Sequence, residues 1–343
     1  MEDMHKILDH ICSSPAGGVL ATIIRVEGSA YKKEGAMMVW NPDGTAKGLL
    51  SAGCLEEDLA VRIENGAGKK TETICYDMRS IDELSWGEGS GCNGVIEVLL
   101  EPVDQLLHQH LRLVKEFLDE GKAVTMVKQL ATDGTRPNYS FITETKEIFS
   151  CMEGTEPTNV QSLRSLGNGK GYSKELLTDV YVHHIEPKQR LFVFGAGKDS
   201  IPLVEFAAKS GFDVTVLDWR PALCQTVNFP HASKLIVGFP EQLLENVHLT
   251  DKDYVVILTH NFMKDKQLLD QLLEHDLRYL GVLGSKRRTA RLLGCKQEEI
   301  PGAITTPVGL SIDAQGPEEI AISIVAQLIQ VSKQTVIKQA EVS

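Results

Sequence analysis

The sequence predicts an α/β protein in which an N-terminal α+β domain, 1–187, precedes a parallel-sheet domain, 188–300. A C-terminal segment, 301–343, either closes the parallel-sheet domain or packs on the first one. Three observations lead there. Arg190 to Pro221 runs strand, glycine turn, helix, strand, acid. Apolar runs at Ala232–Val237, Tyr254–Leu258 and Arg278–Leu283 then recur as further strands. The first half instead carries short strands between glycine turns, and part of it repeats.

In the Arg190–Pro221 stretch, Leu191 to Phe194 is apolar and meets Gly195-Ala196-Gly197. A helical period from Ser200 to Lys209 stops at Gly211, and a second strand ends on Asp218. This is the order of a dinucleotide-binding, Rossmann-like βαβ unit. Gly195 permits the tight turn, Gly197 lets backbone N–H groups approach a pyrophosphate, and Asp218 is placed to meet a ribose hydroxyl. Ser200 replaces the third glycine, where it can cap the helix but loosens helix–strand packing. Arg220 can meet a 2′-phosphate or pair with an acid. NAD(P) or another nucleotide is therefore a candidate cofactor.

A chain of 343 residues can bury two cores, and 42% apolar with 24% charged residues is ordinary for a soluble protein. A net charge of −12 argues against a nucleic-acid groove, which needs a basic footprint. No run approaches the roughly eighteen apolar residues of a membrane helix, and no signal-peptide pattern follows Met1. The seven cysteines are scattered, without a CxxC pair or zinc or iron–sulfur spacing, so reduced thiols and a cytoplasmic location are expected.

Along the first half, Met4, Ile7, Leu8 and Ile11 mark an amphipathic helix. Gly18–Val26 and Ala36–Trp40 read as strands around a glycine-bounded loop that carries Lys32 and Lys33. Gly48–Ser51 reads as a short strand running into Gly53-Cys54-Leu55-Glu56 and a helix to Ile63. Cys54 thus meets the positive end of a helix dipole, which favours a thiolate, while Glu56 suits the first turn. Lys70–Tyr76 leads to a segment with four glycines in the eight residues 87–94, around Cys92. Val95–Leu100 is a strand and Val103–Leu118 a helix. Residues 121–187 then echo 18–102, without the Cys54 turn or the Cys92 loop, which suggests an internal repeat. Gly167–Gly171 reads as a mobile loop.

In the second half Tyr254–Leu258 ends in Thr259-His260-Asn261, at the strand edge where open α/β sheets bind ligands. Gly284-Ser285-Lys286-Arg287-Arg288 opens a helix and offers a hydroxyl and cations for phosphate. Pro307–Ile312 reads as a strand before a helix from Gly316 to about Val331.

These pieces together resemble the xanthine dehydrogenase accessory family, XdhC/CoxI. The resemblance rests on Gly28–Met37, Gly53–Glu56, the Cys92 loop with Val95–Pro102, FGAGKDSIPL, VVILTHNFMKD, YLGVLGSKRRTARL and PVGLSIDAQGPEEIAISI. It implies an XdhC/CoxI-like α+β domain followed by a Rossmann-like one, in a cytoplasmic homodimer. It further implies a chaperone, rather than a catalyst, that binds molybdenum cofactor (molybdopterin) and inserts it into apo xanthine dehydrogenase or a related molybdoenzyme. A cysteine desulfurase is a further partner on that view. The chain departs from the family pattern at Ser200, Asn93, Ser311 and Asn261, the last removing a carboxylate beside His260.

Molybdenum takes sulfur ligands and molybdopterin carries a phosphate, so thiols near N–H donors and cations are the expected site. The candidates are Cys54, as metal ligand, with Gly53, Glu56, Cys92, Lys32 and Lys33, and in the second half Gly195, Gly197, Asp218, His260, Ser285, Lys286 and Arg287. Read as packing alone, Cys54 is a small hydrophobe at a tight turn and the cations face solvent. The alternative function is an NAD(P)-dependent oxidoreductase built on Gly195, Gly197 and Asp218.

Overall fold

The computed structural model describes residues 2–79, 93–130, 138–151, 162–163 and 165–341. The chain divides into two compact units, Met1–Lys188 and Gln189–Ser343.

In the first unit the elements are α1 (Glu2–Ser13), β1 (Val19–Ser29), β2 (Met37–Trp40), β3 (Ala46–Gly48), α2 (Cys54–Glu64), β4 (Glu72–Asp77), β5 (Asn93–Pro102) and α3 (Gln105–Asp119), followed by β6 (Val124–Gln129), β7 (Tyr139–Thr143), β8 (Ile148–Ser150), β9 (Gly169–Ser173) and β10 (Thr178–Ile185). They form two five-stranded antiparallel sheets, ordered β3-β2-β1-β5-β4 and β8-β7-β6-β10-β9. Strand for strand the second order copies the first, so the echo between 18–102 and 121–187 is one of topology. Leu20, Ile24 and Leu99 of the first sheet share a core with Met126, Phe141 and Tyr181 of the second. The apolar stripes of α1 and α3 join it, and the Asp104 carboxylate caps α3 by accepting from Leu107 N–H at 2.8 Å. The other face of the first sheet packs Ile23, Met38 and Trp40 on Leu55 and Leu59 of α2.

The second unit runs β11 (Gln189–Phe194), α4 (Ser200–Lys209), β12 (Phe212–Asp218), β13 (Lys234–Val237), α5 (Pro240–Glu245), β14 (Tyr254–Ile257), α6 (Phe262–Leu272), β15 (Tyr279–Val282), α7 (Lys286–Leu293), β16 (Ile304–Thr305) and α8 (Gly316–Glu341). Its six-stranded parallel sheet has the order β13-β12-β11-β14-β15-β16. Helices cover both faces, which is why the strands read as continuous apolar runs. Val193, Val214 and Val256 pack on Leu203, Ile324 and Leu328, while Phe194, Val255 and Ile257 pack on Leu268, Leu272 and Leu292. Helix α8 therefore packs against α4, within the second unit.

Four expectations fail. Leu49 to Ser51 do not continue β3, because the N–H groups of Leu50 and Ser51 donate to the Glu56 carboxylate at 2.7 and 2.6 Å. The Gly167–Gly171 segment is no loose loop: Asn168 Oδ1 accepts from His184 N–H at 2.7 Å and Gly169 starts β9. Residues 307–312 add no strand, since Pro307 has no N–H for a ladder and Leu310 N–H turns to Ser323 O at 3.1 Å. The last strand is β16, just before it. Ser200 also does not cap α4. It is buried as that helix's first residue, with its hydroxyl on Gly197 O at 2.7 Å. Among the described residues no helix is long and apolar enough to cross a membrane.

Candidate functional site

The strand order reverses between β11 and β14, so the loops that leave these two neighbours diverge and open a crevice at their carboxyl ends. The backbones approach closely there. A Cβ on Gly195 would stand 2.5 Å from Leu258 O, and Gly195 holds φ at 126°, so only glycine fits. Next door, a Cβ on Gly197 would lie 2.4 Å from Asp199 Oδ1. In this molecule Gly197 makes room for a carboxylate.

Asp218 does not present its carboxylate to a ligand. Its side chain is 0% exposed, and it accepts from Ala196 N–H at 2.6 Å, Arg220 N–H at 2.8 Å and the Arg220 guanidinium at 2.7 and 2.9 Å. Burial alone would raise its pKa, but these hydrogen bonds outweigh it and hold the carboxyl below its ordinary value. The residue expected to bind ribose instead ties the glycine turn to β12. Arg220 is likewise engaged, paired with Asp218 and lying over the Trp219 ring.

The β14 loop carries His260 at φ 58°, an uncommon conformation for a residue with a side chain. Its Nε2 meets Asp199 Oδ2 at 2.6 Å, so the carboxylate that position 261 does not supply comes from the β11 loop. Asn261 caps α6, accepting from Met263 and Lys264 N–H groups, both at 3.1 Å. Beside this pair lies a cavity of about 300 Å³ walled by Leu203, Leu258, Leu283, Ile320 and Ile324, with the start of α8 at its rim. A second hollow of about 180 Å³ shares Leu258, His260 and Leu283 and adds Gly284, Asp265 and Arg288.

At α7, Ser285 is the cap, accepting from Arg288 N–H at 3.3 Å, while Lys286 and Arg287 face solvent away from that wall. The cation that lines the hollow is Arg288. Its Nη2 pairs with Asp265 at 2.6 Å and its Nη1 donates to Leu283 O at 3.3 Å, while Thr259 Oγ1 donates to the other oxygen of the buried Asp265. Asp199, Asp265 and Arg288 thus matter most here. The only signals of them in the sequence were an acid after GAGK, the acid that closes VVILTHNFMKD and a second arginine after GSK.

In the first unit, strand directions put the β1–β2 loop with Lys32 and Lys33, the Gly53-Cys54 turn and the start of β5 at one end of the first sheet. Lys33 is exposed and Lys32 half-buried. Gly53 keeps φ at 126°. Glu56 is turned inward, accepting from Leu50, Ser51 and Gly53 N–H groups and from the Ser51 hydroxyl. Burial opposes its charge, yet those bonds hold its pKa below the ordinary carboxylate value. It builds the turn before Cys54 and leaves no oxygen for a cofactor. Cys54 opens α2, but its side chain, like all of Cys92, lies outside the described residues. Among the described residues no group of three or more His, Cys, Asp and Glu is arranged to hold a metal.

Three family models match in series: "XdhC and CoxI family" over 13–77, "BH1974-like, central domain" over 105–186 and "XdhC Rossmann domain" over 191–328. The chain is 42% identical over 338 residues to a probable xanthine dehydrogenase subunit of Bacillus subtilis (strain 168), covering 98% of this chain and 100% of that one. The chain belongs to the XdhC and CoxI family. Every residue around the two hollows falls inside the XdhC Rossmann match. This XdhC/CoxI chain is also 25% identical over 331 residues to the molybdenum cofactor insertion chaperone PaoD of Escherichia coli (strain K12), covering 93% of this chain and 84% of PaoD. A crystal structure named as a xanthine dehydrogenase from Bacillus halodurans superposes with a TM-score of 0.85 at 47% identity, over 97% of this chain and 96% of that one.

Proposed function

We propose that this chain is an accessory protein that binds molybdenum cofactor, guards it and delivers it to apo xanthine dehydrogenase or a related molybdoenzyme. The observation that carries the reading is the likeness, across 93% of the chain, to a molybdenum cofactor insertion chaperone. The chain's seven cysteines are scattered, whereas iron–sulfur centres need grouped ones, which favours a partner of such an enzyme over its catalytic subunit.

The donor set suits the organic part of the cofactor. An apolar cavity with a carboxylate at one end and a guanidinium in the adjoining hollow matches a ring with a phosphate arm. The oxidoreductase alternative is disfavoured by Asp218, whose buried carboxylate is fully engaged, and by Asp199, an anion seated where a pyrophosphate would approach α4.

The test is retention of molybdopterin by the purified protein after ultrafiltration, read by pterin fluorescence and a molybdenum assay, with NADH titrated in parallel. Stoichiometric retention of pterin and molybdenum, with no response to NADH, is expected. Tight NADH binding without pterin retention would overturn the reading.

A further inference from the structure

We infer that the cavity beside Asp199 is a receptor for a 2-amino-4-oxopyrimidine ring bearing an anionic arm, the chemistry shared by pterins and guanine nucleotides. The choice of pterin rests on the function proposed above; the ring recognition rests on the geometry alone.

Asp199 is the directional group. His260 holds its Oδ2 at 2.6 Å, and an ionised carboxylate has about four lone-pair positions, so acceptor capacity remains. A 2-amino-4-oxopyrimidine offers a ring N–H and an amino N–H side by side. The two donate in parallel to one carboxylate, as the fork of an arginine does. A 6-amino purine lacks that pair and would leave the carboxylate poorly matched. His260, itself in the left-handed region, is a positioning residue whose backbone strain is kept at the rim of the cavity.

The walls are apolar: Leu203, Leu258, Leu283, Ile320 and Ile324. At about 300 Å³ the cavity sits at the lower limit of small-molecule sites, roughly 300–1,000 Å³, which suits one fused ring system rather than a dinucleotide. The arm is directed by Arg288. Asp265 is buried and satisfied by Thr259 and Arg288, so the guanidinium is locked in place. With one bond from Nη1 and one from Nη2, a five-donor fork keeps N–H groups for an anion in the adjoining hollow.

The experiment uses the full-length protein, wild type and Asp199→Asn, with molybdopterin, GMP, IMP and AMP as probes in equilibrium dialysis. IMP is GMP without the 2-amino group. Asn replaces one acceptor by a donor, and loss of the charge-assisted pair is expected to weaken molybdopterin or GMP by about 10- to 100-fold, with IMP and AMP weak throughout. Equal affinity in both proteins overturns the inference, even if molybdopterin is retained and the proposed function stands. GMP bound and IMP refused, with no molybdopterin retained, keeps the inference and removes the function. No probe bound overturns both. Should circular dichroism show Asp199→Asn unfolded, Ile320→Trp, which fills the slot from a half-buried wall, makes the same discrimination with the same expected loss.

Discussion

Asp199 and Asp218 stand near each other around one glycine turn and have opposite fates. Asp218 is wholly buried with four hydrogen bonds, whereas Asp199 keeps 28% of its side chain exposed and meets a histidine that is 60% exposed. Truncation should separate them. Asp218→Ala strands Ala196 N–H and unpairs Arg220, and a loss of about 3 kcal/mol or more in urea denaturation is expected. Asp199→Asn disturbs only a solvent-screened pair and should cost under about 1 kcal/mol in the same measurement. An acid at the end of the second strand was legible in the sequence. Its employment was not, because spacing does not say which N–H reaches a carboxylate first.

At the scale of elements, helix α8 decides whether the cavity exists, since Ile320 and Ile324 form one wall. It is held on α4 by the fully buried Leu328 and its neighbours. Leu328→Ala should cost about 2–5 kcal/mol in chemical denaturation and weaken molybdopterin retention with it. Most elements could be read from period and turn residues: α1 from Met4, Ile7, Leu8 and Ile11, and β11 and β12 from their apolar runs. Two of the failures share one cause. Leu50 and Ser51 look like strand until the Glu56 carboxylate, a turn further on, claims their N–H groups, and Asn168 looks like loop until the backbone of His184 donates to it. Local propensity is overruled where a side chain takes the hydrogen bond that a backbone group would otherwise make in a ladder or leave to water.

For the whole molecule, the most consequential buried group outside the candidate site is His183, packed in the first unit. A Cβ on Gly35 would come within 2.9 Å of its Nε2, and burial first, then nearby positive charge including Lys128, pushes its pKa down to about 3. In the unfolded chain a histidine titrates near 6.5. The folded state therefore binds fewer protons between about pH 6.5 and 3. Its contribution is intact above 6.5 and is lost as pH falls through that window, at up to about 1.4 kcal/mol per pH unit. His5 shifts in the same direction, mainly through burial. Thermal unfolding of His183→Leu followed from pH 7 to 4 should show a shallower decline than wild type, even if the variant starts less stable. An unchanged slope would remove His183 as the acid-sensitive group.

By itself the sequence determined the α/β class, the glycine turn after β11, the echo inside the first half and the resemblance to XdhC/CoxI. All of these depend on residues near one another in the chain or on motifs in fixed order. Only the tertiary structure decided that Asp218 is structural, that Glu56 builds its own turn, and that Asp199, His260 and Arg288 border adjoining hollows. Along the chain, 61 positions separate the first two of those three and 28 the last two. Parallel pairing of β11 with β14 brings the loops of Asp199 and His260 to one sheet edge, and β15, pairing with β14, brings the segment of Arg288 beside them. Strand order is set by which apolar faces can be buried together, a property of the folded sheet that no local stretch of residues encodes.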